Sequence, residues 1–273
     1  MIPAAFDYEV AGSVDEAIAL LGQSNDAKLI AGGHSLLPLM RLRFAQPELL
    51  VDIGGIDELA YVRDDGDSLA IGAMTRYADI ACNTMLRESC GIVAETAGQV
   101  GDPQVRHRGT IGGSVAHADP ASDLPTVLVA LDAQIVFQVG ESKKIVSAGD
   151  FFTGFLETVM GDLDVLTEIR VPKLDGPAAY LKYNRRAQDW ATVGIAAVKQ
   201  GDLTRVSLTN MGLTPLRARG VEEALLAGAS AAEAATHAPE GSSPPSDTNG
   251  SAEYRSHLAT VLARRVLENL QSR

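Results

Sequence analysis

Ala31-Gly32-Gly33-His34-Ser35-Leu36 and Thr110-Ile111-Gly112-Gly113-Ser114 are two short stretches, each built on a glycine pair and each followed by an apolar segment and a proline. A Gly-Gly pair admits φ > 0 without a Cβ clash, so successive N–H groups can turn toward one anion at close range. Two such nests facing one another would have the chemistry to hold a pyrophosphate. A tight turn or a helix C-cap is the other use of a glycine pair, and the chain carries 26 glycines, so the flanking residues must decide.

The chain has 273 residues, 46% of them hydrophobic, enough to bury one large core or two to three smaller ones. With 35 acidic against 23 basic side chains, a net charge of −12 would repel a polyanionic backbone, which argues against nucleic acid as a partner. No stretch has the roughly 20 apolar residues of a transmembrane helix, and MIPAAFDYEV has neither the charged nor the apolar part of a signal peptide, so the cytoplasm is expected. The two cysteines, Cys82 and Cys90, are too few for an iron–sulfur cluster, which usually takes four thiolates; they read as free buried thiols, with a disulfide the alternative.

Ser13-Val14-Asp15-Glu16 reads as a capping box ahead of a helix with Val14, Ala17, Ile18 and Leu21 on one face. A strand over 28–30 then enters the first glycine turn, a brief helix over 36–40 points its N-terminus back at that turn, and 49–53 is the next strand. This unit is expected to close near Gly54-Gly55. Strands over 59–62 and 69–71 flank a hairpin turn, and Thr75 is expected to cap a helix to about Leu86, with a second helix over 91–100. Beyond the second glycine turn come an apolar helix to Leu131 and strands over 134–139, 144–147 and 165–171. Pro172 to Pro177 is a plausible boundary. The remainder, with strands over 179–183, 192–199 and 204–209 and helices over 220–227 and 251–271, has the pattern of an antiparallel sheet backed by helices. Residues 238–250 are too rich in Pro, Ser and Gly for regular structure. The expected domains are therefore 1–55, 56–174 and 175–273.

Neither G-x-G-x-x-G after a strand nor G-x-x-x-x-G-K-[ST] occurs, so the Rossmann and P-loop designs lack their fingerprints. Ala31 to Arg43 (AGGHSLLPLMRLR) and Arg108 to Pro125 (RGTIGGSVAHADPASDLP) instead resemble the two loops of the FAD-binding middle (medium) subunit of the molybdenum hydroxylases, the family of aerobic carbon monoxide dehydrogenase and xanthine dehydrogenase. Leu181-Lys182-Tyr183-Asn184-Arg185-Arg186 with Asp189 and Ala191, then Tyr254-Arg255, continue the match to almost the whole chain. Both glycine phrases are more similar to the carbon monoxide dehydrogenase medium subunit than to the eukaryotic xanthine enzymes.

That resemblance implies an α+β protein: a two-subdomain FAD-binding fold of the molybdenum hydroxylase/vanillyl-alcohol-oxidase type, plus a C-terminal α+β domain with a small antiparallel sheet and helices. It implies that FAD is clasped between Ala31, Gly32, Gly33, His34, Ser35 and Leu36 on one side and Thr110, Gly112, Gly113 and Ser114 on the other, with backbone N–H donors at positions 32 to 35, 110, 112 and 113. Asp123 takes the place of a carboxylate that accepts from ribityl or ribose hydroxyls; as a residue it reads equally as a helix N-cap. Lys182 corresponds to a lysine near the flavin pyrimidine, where a cation stabilises negative charge, and otherwise reads as a solvated lysine on a strand edge. Tyr183 would cover the ring and Leu166 contact it through its backbone. Arg106, His107 and Arg108 either lend charge to the phosphates or are simply exposed.

No residue is assigned a catalytic role and no metal is expected in this chain, since His34, His117 and Asp119 do not make a ligand cluster and no nucleophile elbow is present. The implied work is electron transfer within a complex, from the [2Fe–2S] clusters of a small subunit to an external acceptor, with the molybdenum cofactor and the choice of substrate in a large subunit, as a dimer of heterotrimers. A stand-alone FAD oxidase with flavin linked covalently to His34 is an alternative, and a non-redox nucleotide-binding or assembly protein another.

Overall fold

The computed structural model describes residues 2–271. Asp7–Val10 (β1), Ala27–Ile30 (β2) and Leu49–Asp52 (β3) make a parallel sheet in the order β1-β3-β2, with helix Val14–Leu21 (α1) between β1 and β2 and helix Leu36–Arg41 (α2) between β2 and β3. Ser13 Oγ accepts from the Glu16 N–H at 3.1 Å, as its capping role requires, but the Glu16 carboxylate reaches one residue further back, to the Gly12 N–H at 2.7 Å. The helix face of Val14, Ala17 and Leu21 is buried against Leu49, Val51 and Ile53 of the sheet side.

The second part is a five-stranded antiparallel sheet with a helical layer. Strands Val62–Asp65 (β4) and Ser68–Gly72 (β5) lead into helices Tyr77–Cys82 (α3), Thr84–Ser89 (α4), Gly91–Gln99 (α5), Pro103–Arg108 (α6), Ile111–His117 (α7) and Asp123–Ala130 (α8). Strands Gln134–Val139 (β6) and Ser142–Ser147 (β7), helix Ala148–Phe151 (α9), a small hairpin of Phe152–Gly154 (β8) and Glu157–Thr158 (β9), and strand Val165–Pro172 (β10) follow. The sheet order β4-β5-β10-β6-β7 puts β10 in the centre, where Val165 to Ile169 are all buried, Thr167 and Glu168 among them. Every residue of α8 is buried, as suits a helix hydrophobic all round.

The third part is the antiparallel sheet of Ala178–Tyr183 (β11), Val193–Gln200 (β12), Leu203–Thr209 (β13) and Leu216–Arg217 (β14), with helices Arg219–Leu226 (α10), Ala231–Ala234 (α11) and Ala252–Gln271 (α12). The two-residue period of a strand divides its side chains between two cores. Ala179, Ile195 and Ala197 pack with Leu258, Leu262 and Val266 of α12, whereas Tyr180, Ala196 and Val198 join the core of the second part, which includes residues of α5 and α8. Burial on both faces explains why β12 is apolar from Val193 to Val198.

Several local expectations need correction. Leu59 lies in a short 3-10 turn, Asp57–Leu59, and the strand begins at Val62. Thr75 is no cap: its hydroxyl donates to Tyr61 O at 2.9 Å and accepts from the Tyr61 N–H at 3.1 Å, and the expected single helix is broken at Asn83, which caps α4. Residues 238–250 lack regular structure and are mostly exposed apart from the buried Ala238, yet the segment is tied down, because Asp247 accepts from the buried Arg255 guanidinium at 2.7 Å. Both thiols are free, and Cys82 is exposed rather than buried.

Candidate functional site

The C-terminal end of β2, the start of α2, the corner between α6 and α7, and the β8–β9 hairpin surround one cleft of about 850 Å³. That lies within the ~300–1,000 Å³ of small-molecule sites. Both glycine stretches line it, and they touch each other. A Cβ on Gly32 would stand 2.4 Å from Arg108 O and 2.8 Å from Gly109 Cα, so backbone lies against backbone where the stretches meet. A Cβ on Gly113 would stand 2.8 Å from Thr110 Oγ1 and 3.9 Å from Ala31 Cβ across the gap.

Their donors differ. Gly33 has φ +75°, and among the described residues the N–H groups of Gly32, Gly33, His34 and Ser35 find no acceptor in the protein. Ser35 precedes α2 without a side-chain capping bond, which leaves that end open. The second stretch is instead the first turn of α7: Thr110 Oγ1 accepts from the Gly113 N–H at 3.1 Å, the Gly112 N–H donates to Ala73 O at 2.8 Å, and the Ile111 N–H donates to Thr75 O at 3.1 Å. Gly112 and Gly113 are therefore not a left-handed turn, and their expected backbone donors are already taken. What requires glycine at 112 is close approach, since a Cβ there would lie 2.5 Å from Ala73 Cβ and 2.7 Å from Ala73 O. Unpartnered N–H groups around a positive-φ glycine fit the phosphates of a dinucleotide, because an anion would supply the acceptors they lack.

Asp123 stands at the start of α8 and lines the cleft, but it is not the N-cap; Ser122 holds that position. Its Oδ1 accepts from the Tyr180 hydroxyl at 2.6 Å and its Oδ2 from Lys182 Nζ at 2.9 Å. Burial pushes the Asp123 carboxyl up, against the pull of the Lys182 ammonium and the Tyr180 hydroxyl. Burial likewise raises Tyr77, another lining residue, to about 12 despite a hydrogen bond with Ser114. His117, at the far end of α7, is held below its usual value by burial, with Asp119 opposing.

Ala31 to Leu36, Thr110, Gly112, Gly113, Ser114, Asp123 and Leu166 all line the cleft. Lys182 and Tyr183 do not: Lys182 lies behind Asp123, and Tyr183 packs edge-on against Tyr254 with ring centroids 6.2 Å apart. Residues that the sequence did not single out for the site complete the wall, among them Tyr77, Leu156, Gln188 and Trp190.

Residues 4–174 match the family model for the FAD binding domain in molybdopterin dehydrogenase, and residues 178–270 that for the CO dehydrogenase flavoprotein C-terminal domain. The chain belongs to this flavoprotein family. It is 42% identical to the carbon monoxide dehydrogenase medium chain of Hydrogenophaga pseudoflava, over 98% of this chain and 97% of that one. A solved carbon monoxide dehydrogenase from the same organism is similar with a TM-score of 0.95, covering 100% of this chain and 99% of that chain. The 6-hydroxypseudooxynicotine dehydrogenase complex subunit alpha of Paenarthrobacter nicotinovorans is 36% identical over 98% of this chain and 95% of that one. Membership makes the chain part of an oxidoreductase with FAD as its cofactor, and the α+β architecture matches that of the solved relatives. No helix among the described residues is long and apolar enough to cross a membrane.

Proposed function

We propose that this chain is the FAD-carrying electron-transfer subunit of a cytoplasmic, multi-subunit molybdenum hydroxylase. It would take electrons from the [2Fe–2S] clusters of a small partner subunit and pass them to an external acceptor, while a large subunit holds the molybdenum cofactor, in a dimer of heterotrimers. Domains 1–55 and 56–174 enclose the cofactor in this reading, and 175–273 closes the cleft and supports subunit contacts. FAD supplies the redox chemistry by exchanging electrons singly with one-electron centres and in pairs with two-electron carriers.

The carrying observation is the row of unpartnered N–H groups at Gly32, Gly33, His34 and Ser35, set against the second glycine stretch across one cleft. Ala31 and Leu36 shape the ends of that row. Gly112, Gly113 and Ser114 keep the opposite wall close, with Thr110 holding α7 in place, and Asp123 and Leu166 line the remainder. Two cysteines cannot assemble a cluster, so the one-electron donor must be another chain. Carbon monoxide dehydrogenase medium chains and an alpha subunit of a dehydrogenase complex are the kinds of relative this chain resembles.

Co-purification from the native source is the test. A yellow chain with iron and molybdenum in fixed ratio supports the reading, and a chain that stays colourless after incubation with FAD contradicts it. Acid precipitation releases the flavin into the supernatant if His34 only lines the cradle. Gly113→Val is expected to lose flavin absorbance and to weaken the α7 cap, because a Cβ there would crowd Thr110 Oγ1 at 2.8 Å and lie 3.9 Å from Ala31 Cβ on the facing stretch.

A further inference from the structure

Lys182 is on β11, the edge strand of the third sheet, and yet its side chain is only 6% exposed. Its ammonium has three protons to donate. The acceptors are Asp123 Oδ2 at 2.9 Å, Gln99 O at 2.8 Å and Asp189 O at 3.2 Å. No donor is left for a ligand. The acceptors come from three segments: Asp123 from the cleft wall at the start of α8 and Gln99 from the last residue of α5, both in the second part, and Asp189 from the loop joining β11 to β12.

That loop, residues 184–192, puts Gln188, Asp189 and Trp190 into the lining of the cleft. Its base is closed by the Thr192 N–H donating to Tyr183 O at 2.8 Å. Its later half is gripped from the third part, by Asn210 Nδ2 donating to Ala191 O at 2.9 Å and by the wholly buried Arg255 donating to Thr192 O. Its first half is held to the 238–250 segment by Arg185 Nη1 donating to Thr248 O at 2.6 Å, whereas among the hydrogen bonds of the described residues from Asn184 to Trp190 the link to the second part, where Asp123 and Gln99 are fixed, runs through Lys182.

We propose that Lys182 is a positioning residue, a strut that holds the 184–192 loop against the Asp123 wall, rather than a residue that touches the flavin. The inference rests on the reading of this cleft as the FAD site, but its mechanical part concerns the chain alone. An ammonium held by three protein acceptors fixes the separation of wall and loop before any ligand arrives. Removing it frees the Asp189–Trp190 stretch from the Asp123 wall while the other anchors of the loop remain, and the shape of the cleft at Trp190 changes with it.

Trp190 is the sole tryptophan of the chain, so its fluorescence reports the loop without interference. The experiment is acrylamide quenching of the full-length, FAD-free protein and of Lys182→Met, which keeps the side-chain length and removes every donor. Loss of charge-assisted bonds frees the loop, and the quenching constant is expected to rise about twofold, Trp190 being already half exposed. Far-UV circular dichroism should stay unchanged, and Lys182→Arg should recover part of the effect. Quenching unchanged in Lys182→Met, together with a shifted flavin absorbance or potential after FAD is added, would overturn the proposal and make Lys182 a flavin contact. Should Lys182→Met fail to fold, Lys182→Gln is read in the same way. A failure of both proteins to bind FAD would count against the proposed function and leave the quenching comparison standing.

Discussion

The glycine pairs at 32–33 and 112–113 look alike on paper and do opposite things in space. The first is an open loop with a left-handed glycine, and its N–H groups have no protein acceptor. The second is the opening turn of a helix, and its N–H groups are consumed by Ala73 O and Thr110 Oγ1. One pair offers donors; the other makes room. A shared motif therefore fixes where the cleft is without saying which side grips the anion, and the distinction lies in the hydrogen-bond partners that each backbone already has.

Substitutions separate the two roles. Gly112→Val is expected to have the largest effect on stability, because the new atoms would meet Ala73 Cβ at 2.5 Å and Ala73 Cα at 2.8 Å in a buried position. Overpacking of this kind costs on the order of 3 kcal/mol, and urea unfolding of the FAD-free protein would read it. A midpoint equal to that of the unsubstituted protein would mean that 112 has no steric duty. Gly32→Ala comes next at about 2 kcal/mol. Its Cβ would push Arg108 O away from the meeting point of the two stretches, so flavin content should fall together with the melting temperature.

Thr110→Ala removes the α7 cap and is expected to cost about 1 kcal/mol, with Thr110→Ser restoring most of it. The smallest effect is that of pH at His117. Burial depresses its folded pKa, so below the unfolded value of 6.5 the unfolded chain takes up a proton that the folded chain refuses. Stability should then decline slightly as pH is lowered from 7 through 6.5 toward the depressed value, the ring being only half-buried. Comparing urea midpoints at pH 7.5 and 5.5 in the unsubstituted protein and in His117→Gln checks it; equal slopes in the two proteins would remove His117 from the account.

Elements announced by local chemistry were legible in the sequence. Ser13 and the apolar spacing after it mark α1, and β11 to β13 lie within a residue of the strands expected over 179–183, 192–199 and 204–209. Helix α6 was overlooked although Asp102-Pro103 is a start signal, an Asx cap followed by a proline at the first helical position. Gly112 and Gly113 read as a turn because glycine is a poor helix former, and only the approach of Ala73 and the Thr110 cap, both seen in three dimensions, override that preference. The cleft itself was legible through its two glycine stretches, whereas Gln188 and Trp190 join it by a long-range approach that no local pattern encodes. Lys182 read as a solvated edge residue or a flavin contact, since its three acceptors come from three separate segments.

The most direct measurement of the central claim is the backbone amide spectrum of the isotopically labelled, FAD-free protein during titration with FAD. Amides of Gly32, Gly33, His34 and Ser35 should move downfield as they gain phosphate acceptors, while those of Gly112 and Gly113, already bonded, move little. The reverse pattern, with Gly112 and Gly113 shifting and the first stretch unchanged, would contradict the division of labour between the two glycine pairs.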